Sequence, residues 1–224
     1  MAESILVSDL QTLCRDRTDQ QNSTFITDAE LLRFINTSYK ELYNKIIKAN
    51  STYYMSEETI NIVSNQNAYT LPTDFYKVQG VDLLTNTSQK YTAKPFSFEN
   101  RNRDSGLNFY STPFLRYIIQ GNEIRFVPMP NSTQTATLYY IPLPITINDG
   151  AQTINTVNGG YAFLVADVCK MIATKAEDSN VQEFLQEKMQ ATQDIMENFN
   201  TRDEGMPETI TDVYAVNDYL DRIF

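Results

Sequence analysis

Pairs of carboxylates are the side chains of this sequence best suited to catalysis, because its 224 residues include 28 acidic residues and no histidine. The lack of histidine excludes Ser-His-Asp and Cys-His catalysis and histidine metal sites. Glycoside hydrolysis needs two carboxyl groups, about 5–5.5 Å apart in retaining enzymes and about 6.5–9.5 Å apart in inverting ones. Pairs close in sequence include Glu57–Glu58, Asp203–Glu204 and Asp218–Asp221.

These pairs give catalysis little support. Adjacent residues do not face each other on a helix, whereas Asp218 and Asp221 are three residues apart and could share a helical face. Nothing in the sequence places any of the pairs in a cleft. We therefore predict that the protein is not an enzyme, and the alternative is a glycoside hydrolase that uses paired carboxylates.

Cofactor and metal motifs are missing from the sequence. Its seven glycines form neither a phosphate-binding loop nor a dinucleotide fingerprint. The two cysteines, Cys14 and Cys169, lack the spacing of metal ligands and predict buried, reduced thiols. We expect no cofactor and no metal.

Acidic residues dominate the C-terminal part of the chain. Residues 158–224 contain five basic and thirteen acidic residues, which account for −8 of the net charge of −10. This charge argues against tight binding to a phosphate backbone, which needs clustered lysines and arginines. No apolar run approaches the roughly 20 residues that span a bilayer, and no basic-then-apolar leader opens the chain, so we expect neither a membrane span nor a signal peptide.

Helical periodicity is clearest near the N-terminus. Apolar residues at Ile5, Leu6, Leu10 and Leu13 predict a helix over 3–14. A capping box at 27–30 then opens a long helix that ends near residue 50. In that box the Thr27 hydroxyl should accept from the Glu30 amide, and the Glu30 carboxylate should reach back to the Thr27 amide.

The middle of the chain changes to β-type patterns. Strands are predicted near 59–63, 69–76, 78–84 and 135–141. A hairpin over 114–128 should turn at Gly121 and Asn122. Helical patterns return at 160–177 and 184–199, and their short connection predicts an antiparallel hairpin.

These patterns predict an α+β protein in which a helical core carries an antiparallel β insertion and an extended C-terminal arm. The N-terminal helices occupy 1–56, the β insertion 57–157, the C-terminal helical hairpin 158–205 and the arm 206–224. Gly205 can adopt the left-handed helix cap and Pro207 blocks helix continuation, so the arm should leave the hairpin in its own direction.

The arm is the clearest candidate site. It is too apolar for a solvated end, so it either packs on its own domain or docks on a partner. Its apolar residues are Met206, Ile210, Val213, Tyr214, Val216, Tyr219, Leu220, Ile223 and Phe224.

A second candidate is a basic patch at Lys94, Arg101, Arg103 and Arg116, close to several aromatic residues. Stacking of single-stranded nucleic acid would use such aromatics together with a basic groove. Packing in the core and at subunit interfaces is the favoured use of the 14 tyrosines and 12 phenylalanines. The patch is then a candidate inter-subunit site that meets an acidic neighbour.

Four segments spread over the chain carry a resemblance to a known family. They are TDAELLRFIN (27–36), YTLPTDFYKV (69–78), GNEIRFVP (121–128) and RDEGMPETITDV (202–213). In this order, the chain resembles the head-to-tail adaptor proteins of tailed bacteriophages, of the tail-accessory-factor type found in short-tailed phages.

The resemblance implies a structural protein of the virion, located at the head-tail interface and assembled in the host cytoplasm. Such adaptors form a ring, usually of twelve copies, below the portal protein. The ring extends the DNA channel, lets DNA pass without specific binding and offers a platform to downstream tail proteins. Adaptor C-termini typically reach the portal, which favours docking for the arm. Some tail-accessory proteins are linked to peptidoglycan cleavage, so one alternative is a virion-associated peptidoglycan hydrolase that uses paired carboxylates. A further alternative is a tail-tube or gatekeeper ring component.

Overall fold

The computed structural model describes residues 2–21, 24–84, 89–100 and 115–200. It divides into two compact units: the described residues of Met1–Ile35 with Asp149–Phe224, and those of Asn36–Asn148. Helices and antiparallel sheets are both well represented, so the predicted α+β class is confirmed. The predicted arm at 206–224 lies outside the described residues.

Four α-helices and nine strands are present in the described parts of the chain. The helices are α1 Val7–Arg17, α2 Asp28–Ala49, α3 Gly160–Ala176 and α4 Val181–Asn200. The strands are β1 Ala2–Leu6, β2 Ser56–Ile62, β3 Ala68–Thr70, β4 Phe75–Leu84, β5 Lys90–Thr92, β6 Arg116–Gln120, β7 Glu123–Val127, β8 Gln134–Pro142 and β9 Thr153–Val157. A single 3₁₀ turn covers Phe98–Asn100.

The long helix α2 begins and ends where the sequence predicts. The Glu30 amide donates to Thr27 Oγ1 at 3.3 Å, which confirms the first of the two predicted capping-box bonds. The Glu30 carboxylate pairs with Lys175 instead, at 2.7 Å. α2 ends at Ala49.

The prediction of a helix over 3–14 is wrong at its start. Residues Ala2–Leu6 form β1, which pairs antiparallel with β9 so that Ile5 lies opposite Ile154. Both isoleucines are buried, whereas Leu6 remains 39% exposed. A strand forms here instead of a helix because the pairing buries Ile5 against a residue 149 positions later. β-branched residues are favourable in such cross-strand pairs. α1 therefore begins only at Val7.

The unit of residues 36–148 is built from two antiparallel sheets. One has the strand order β2-β8-β4-β5 and the other β3-β7-β6. Alternate residues of both sheets form one apolar core, with Leu83, Leu138, Ile124 and Phe126 fully buried. The strands predicted near 59–63, 78–84 and 135–141 are confirmed, whereas the one predicted near 69–76 is interrupted between β3 and β4. β5 and β9 are additional strands that the sequence analysis did not predict.

The predicted hairpin at β6 and β7 turns at Gly121 and Asn122. Gly121 has φ +62°, the conformation that the first central residue of a type II′ turn needs.

The predicted C-terminal hairpin consists of α3 packed against α4. α3 is buried on most of its surface, including the predicted face at Leu164, Val165, Val168 and Ile172. The residue after its end, Glu177, caps the helix in the left-handed conformation with φ +54°. The Asp178 carboxylate then accepts from the Asn180 amide at 3.0 Å, just before α4 begins.

Candidate interaction surface

The structure places only part of the predicted candidate residues. Arg116 is the first residue of β6 and is half-buried. Arg101, Arg103 and all nine apolar residues of the arm lie outside the described residues, so their roles stay predictions.

A cavity of about 350 Å³ opens beside Arg116. Its lining is mostly apolar, and both Lys94 and Arg116 contribute to it. The lining residues are Tyr91, Thr92, Lys94, Leu115 and Arg116.

Backbone pairing explains why residues distant in sequence meet at this cavity. The Tyr117 amide donates to the Lys94 carbonyl at 3.2 Å, and the Phe96 amide donates to the Tyr117 carbonyl at 2.7 Å. These bonds fix the segment after β5 alongside β6. The Leu115 amide also donates to the Tyr91 hydroxyl at 3.2 Å. Lys94 and Arg116 are thereby held at one opening although 21 residues separate them.

The cavity suits an apolar group that carries negative charge. Burial raises the pKa of the Tyr91 hydroxyl, more than the Leu115 amide lowers it, so the phenol stays neutral at physiological pH. Two cations beside an apolar floor can pair with a carboxylate while the floor takes up an aromatic or aliphatic side chain. The predicted basic patch therefore includes a pocket that its sequence did not reveal.

The candidate carboxylate pair within the described residues does not form a catalytic site. Glu57 and Glu58 follow one another on β2, where successive side chains point to opposite faces of the sheet. Both are exposed. The pairs at 203–204 and 218–221 lie outside the described residues. Among the described residues, no group of acidic or cysteine residues could hold a metal ion.

The helical hairpin contains a buried cluster of charged residues that was not predicted from the sequence. Asp167 on α3 is fully buried, and its Oδ1 accepts from Lys170 Nζ at 2.6 Å and from Lys188 Nζ at 2.9 Å. Lys188 also lies over the Phe163 ring, 5.3 Å from its centre. The signal available in the sequence was the three-residue spacing of Asp167 and Lys170. The cluster stabilises the packing of α3 on α4 and touches no cavity among those described.

The loop before α2 is held by two further cations. Arg15 donates to the Gln20 carbonyl, the Ile26 carbonyl and Asp28 Oδ1 at 3.1, 3.0 and 2.7 Å. Lys175 donates to the Phe25 carbonyl at 2.9 Å and lies 4.5 Å from the centre of the Phe25 ring. These contacts are structural, because they satisfy backbone carbonyls that no regular element pairs.

The predicted burial of the two thiols is confirmed. Cys14 and Cys169 are both free and buried, and Cys169 Sγ lies 4.0 Å from the Cys14 carbonyl oxygen. The side-chain hydrogen bond with Cys169 and burial raise the pKa of Cys14, which keeps that thiol protonated.

Within the described ranges, none of the helices is long and apolar enough to cross a membrane.

Comparison with known proteins identifies the family. A family model described as SU10 adaptor protein matches residues 5–212, which is nearly the whole chain. None of the curated proteins matches the sequence significantly. The family match supports a structural role as a bacteriophage adaptor, in agreement with the resemblance of the four sequence segments. The chain belongs to the SU10 adaptor protein family.

Proposed function

We propose that this protein is the head-to-tail adaptor that forms a ring below the portal of a tailed phage. The ring extends the DNA channel and gives downstream tail proteins their attachment platform. The observation that carries this proposal is the family match over residues 5–212. A net charge of −10 supports it, because an acidic channel repels DNA phosphates and lets the genome pass without binding.

Ring assembly in this proposal depends on the portal. The apolar arm at 206–224 gains more burial on the portal than in the free chain, so the portal supplies the nucleus for the ring. We expect a monomer or small oligomer of the purified chain and a closed ring after addition of portal. Light scattering with and without portal measures this, and a stable ring of the chain alone would contradict portal dependence.

The arm is the proposed docking element. Removing residues 206–224 should leave a soluble, folded domain that no longer joins portal-bearing heads. Circular dichroism tests folding and a head-binding pulldown tests attachment. Attachment of the truncated chain would show that docking lies elsewhere, and unfolding would place the arm in the core of its own domain.

The cavity at Lys94 and Arg116 is the proposed contact between neighbouring copies in the ring. Its two cations complement the exposed acidic side chains of α4, among them Glu183, Asp194 and Glu197, on a neighbouring copy. The double variant Lys94→Glu/Arg116→Glu should weaken ring closure on the portal without preventing attachment of single copies. Lys90→Glu is the matched control, because Lys90 is exposed on neighbouring β5 and does not line the cavity. Equal ring yields from both variants would exclude this contact.

A further inference from the structure

Helix α4 carries a second apolar stripe in addition to the face that packs on α3. Its members are spaced by four, three and four residues, so they line up along one side of the helix. They are Leu185, Met189, Thr192 and Met196.

The stripe is open to solvent at its N-terminal half. Met189 is 65% exposed and Leu185 36%, whereas Thr192 and Met196 are half-buried. The Thr192 hydroxyl donates to the Lys188 carbonyl at 2.8 Å within the helix, so its polar group is already satisfied by the backbone. A spacing of four and three residues is the pattern that packs against a second helix.

One flank of the stripe lacks charge in an otherwise acidic helix, and Lys188, which pairs with Asp167, borders the other flank. Gln182, Gln186 and Gln193 lie beside the stripe, while the acidic side chains of α4 project further round the helix. Gln193 Nε2 donates to Glu197 Oε1 at 2.9 Å, and Gln190 Nε2 donates to Asp194 Oδ1 at 2.8 Å. An acidic segment can therefore approach the stripe over amide groups without meeting carboxylates directly.

The arm of the same chain matches this stripe in spacing and reach. Val213, Val216, Leu220 and Ile223 repeat at intervals of three, four and three residues, and 206–224 carries four acidic residues against one arginine. The connection 201–212 can span up to about 40 Å at roughly 3.3 Å per residue. The stripe from 185 to 196 is only about 17 Å long at 1.5 Å per residue, so the arm can fold back along it.

We propose that the arm lies antiparallel on the Leu185–Met196 stripe of its own chain before assembly, and leaves it to dock on the portal. This inference rests on the proposed function, because it names where the portal-docking arm is held in the free protein. It also gives a physical reason for portal dependence: the portal must offer more burial than the stripe. Release of the arm then exposes the stripe in the assembled state.

Oxidation of methionine by hydrogen peroxide tests the proposal, since it reports the exposure of Met189 directly. The full chain is compared with the full-length variant Val216→Asp/Leu220→Asp, whose arm should not hold to an apolar stripe. Peptide mass spectrometry measures the rates. If the arm covers Met189 for about nine-tenths of the time, oxidation in the wild type is about tenfold slower than in the variant.

Two controls make the result specific. Met129, 53% exposed and in the other unit, should oxidise at the same rate in both proteins. The variant Asn217→Asp changes the arm between its apolar anchors and should keep Met189 protected. Equal Met189 rates in wild type and variant would overturn the proposal. Protection that grows with protein concentration would also overturn it, because the arm would then come from a second copy.

Addition of portal separates this inference from the proposed function. Met189 of the wild type should become as reactive as in the variant when the arm transfers to the portal. If the protein binds portal but Met189 is oxidised at the same rate before and after portal is added, the stripe proposal is contradicted. The adaptor role is unaffected by that result. Absence of portal binding, with Met189 protected throughout, would contradict the adaptor role alone.

Discussion

The ammonium group of Lys188 on α4 lies 2.9 Å from the carboxylate of Asp167 on α3, in a position where Asp167 is fully buried. Lys170 donates to the same oxygen at 2.6 Å. Burial by itself would raise the pKa of Asp167, but the bonds from Lys170 and Lys188 lower it below its usual range. The carboxylate is therefore charged in the folded protein and ties the two helices together.

Asp167→Asn should destabilise the protein by about 3 kcal/mol, because it leaves two partly buried lysines without their counter-charge. Urea unfolding measures the loss. Asp194→Asn serves as the control, since Asp194 is exposed on α4, and should change stability little. A loss at Asp167 no larger than at Asp194 would mean that the buried pair contributes nothing to the hairpin.

The contribution of Asp167 should depend on pH in one direction. Because its pKa is lower in the folded than in the unfolded chain, its stabilisation is complete above the unfolded value of about 3.9 and is lost as the pH falls through the folded value. The difference in unfolding free energy between wild type and Asp167→Asn should be constant from pH 5 to 7 and shrink below about pH 4. A difference that stays constant down to about pH 3 would contradict this.

Arg15→Lys should loosen the loop before α2, since one ammonium group cannot reach the three acceptors that the guanidinium holds. The global stability should fall by only about 1 kcal/mol, but amide exchange at 24–27 should become faster. Arg125→Lys is the matched control, because Arg125 bonds Glu123 two residues away in the hairpin. Unchanged exchange in Arg15→Lys would show that the loop holds its conformation by other contacts.

Gly160→Ala should be destabilising because of a steric clash at the start of α3. A Cβ atom there would overlap the Thr156 side chain at Cγ2, whereas a Cβ at Gly80 would have no atom within 4 Å. We expect a loss of about 1–3 kcal/mol for Gly160→Ala, which is typical of overpacking, and a much smaller effect for Gly80→Ala. The added change Thr156→Ala should recover part of the loss in thermal unfolding. No recovery would place the cause outside this contact.

Local signals predicted the elements that local forces decide. The capping box at Thr27 and the periodicity after it define α2, and the Gly121-Asn122 turn defines the β6–β7 hairpin. β1 escaped prediction because Ile5 fits a helical face equally well, and the choice depends on pairing with Ile154 far along the chain.

The candidate sites were predicted less completely, again because distant residues form them. Lys94 and Arg116 were assigned to one patch, but the cavity between them depends on how β6 pairs with the segment after β5. Asp167 sits among apolar residues of α3, and one of its two partners, Lys188, comes from the next helix. A single helical pattern cannot show that a carboxylate faces inward toward a lysine 21 residues later.

The purified protein should show no appreciable affinity for duplex DNA at physiological salt, because its net charge of −10 opposes phosphate binding. An electrophoretic shift with random duplex measures this. Micromolar binding that weakens steeply with salt would reveal a basic surface, and the Lys94→Glu/Arg116→Glu variant would then show whether the cavity provides it.

A cryo-EM map of portal-bearing heads incubated with the protein tests the adaptor role most directly. We predict a closed ring of this chain in contact with the portal and coaxial with the DNA channel. The arm at 206–224 should lie on the portal. A ring found only lower in the tail, away from the portal, or heads that carry none of the protein, would contradict it.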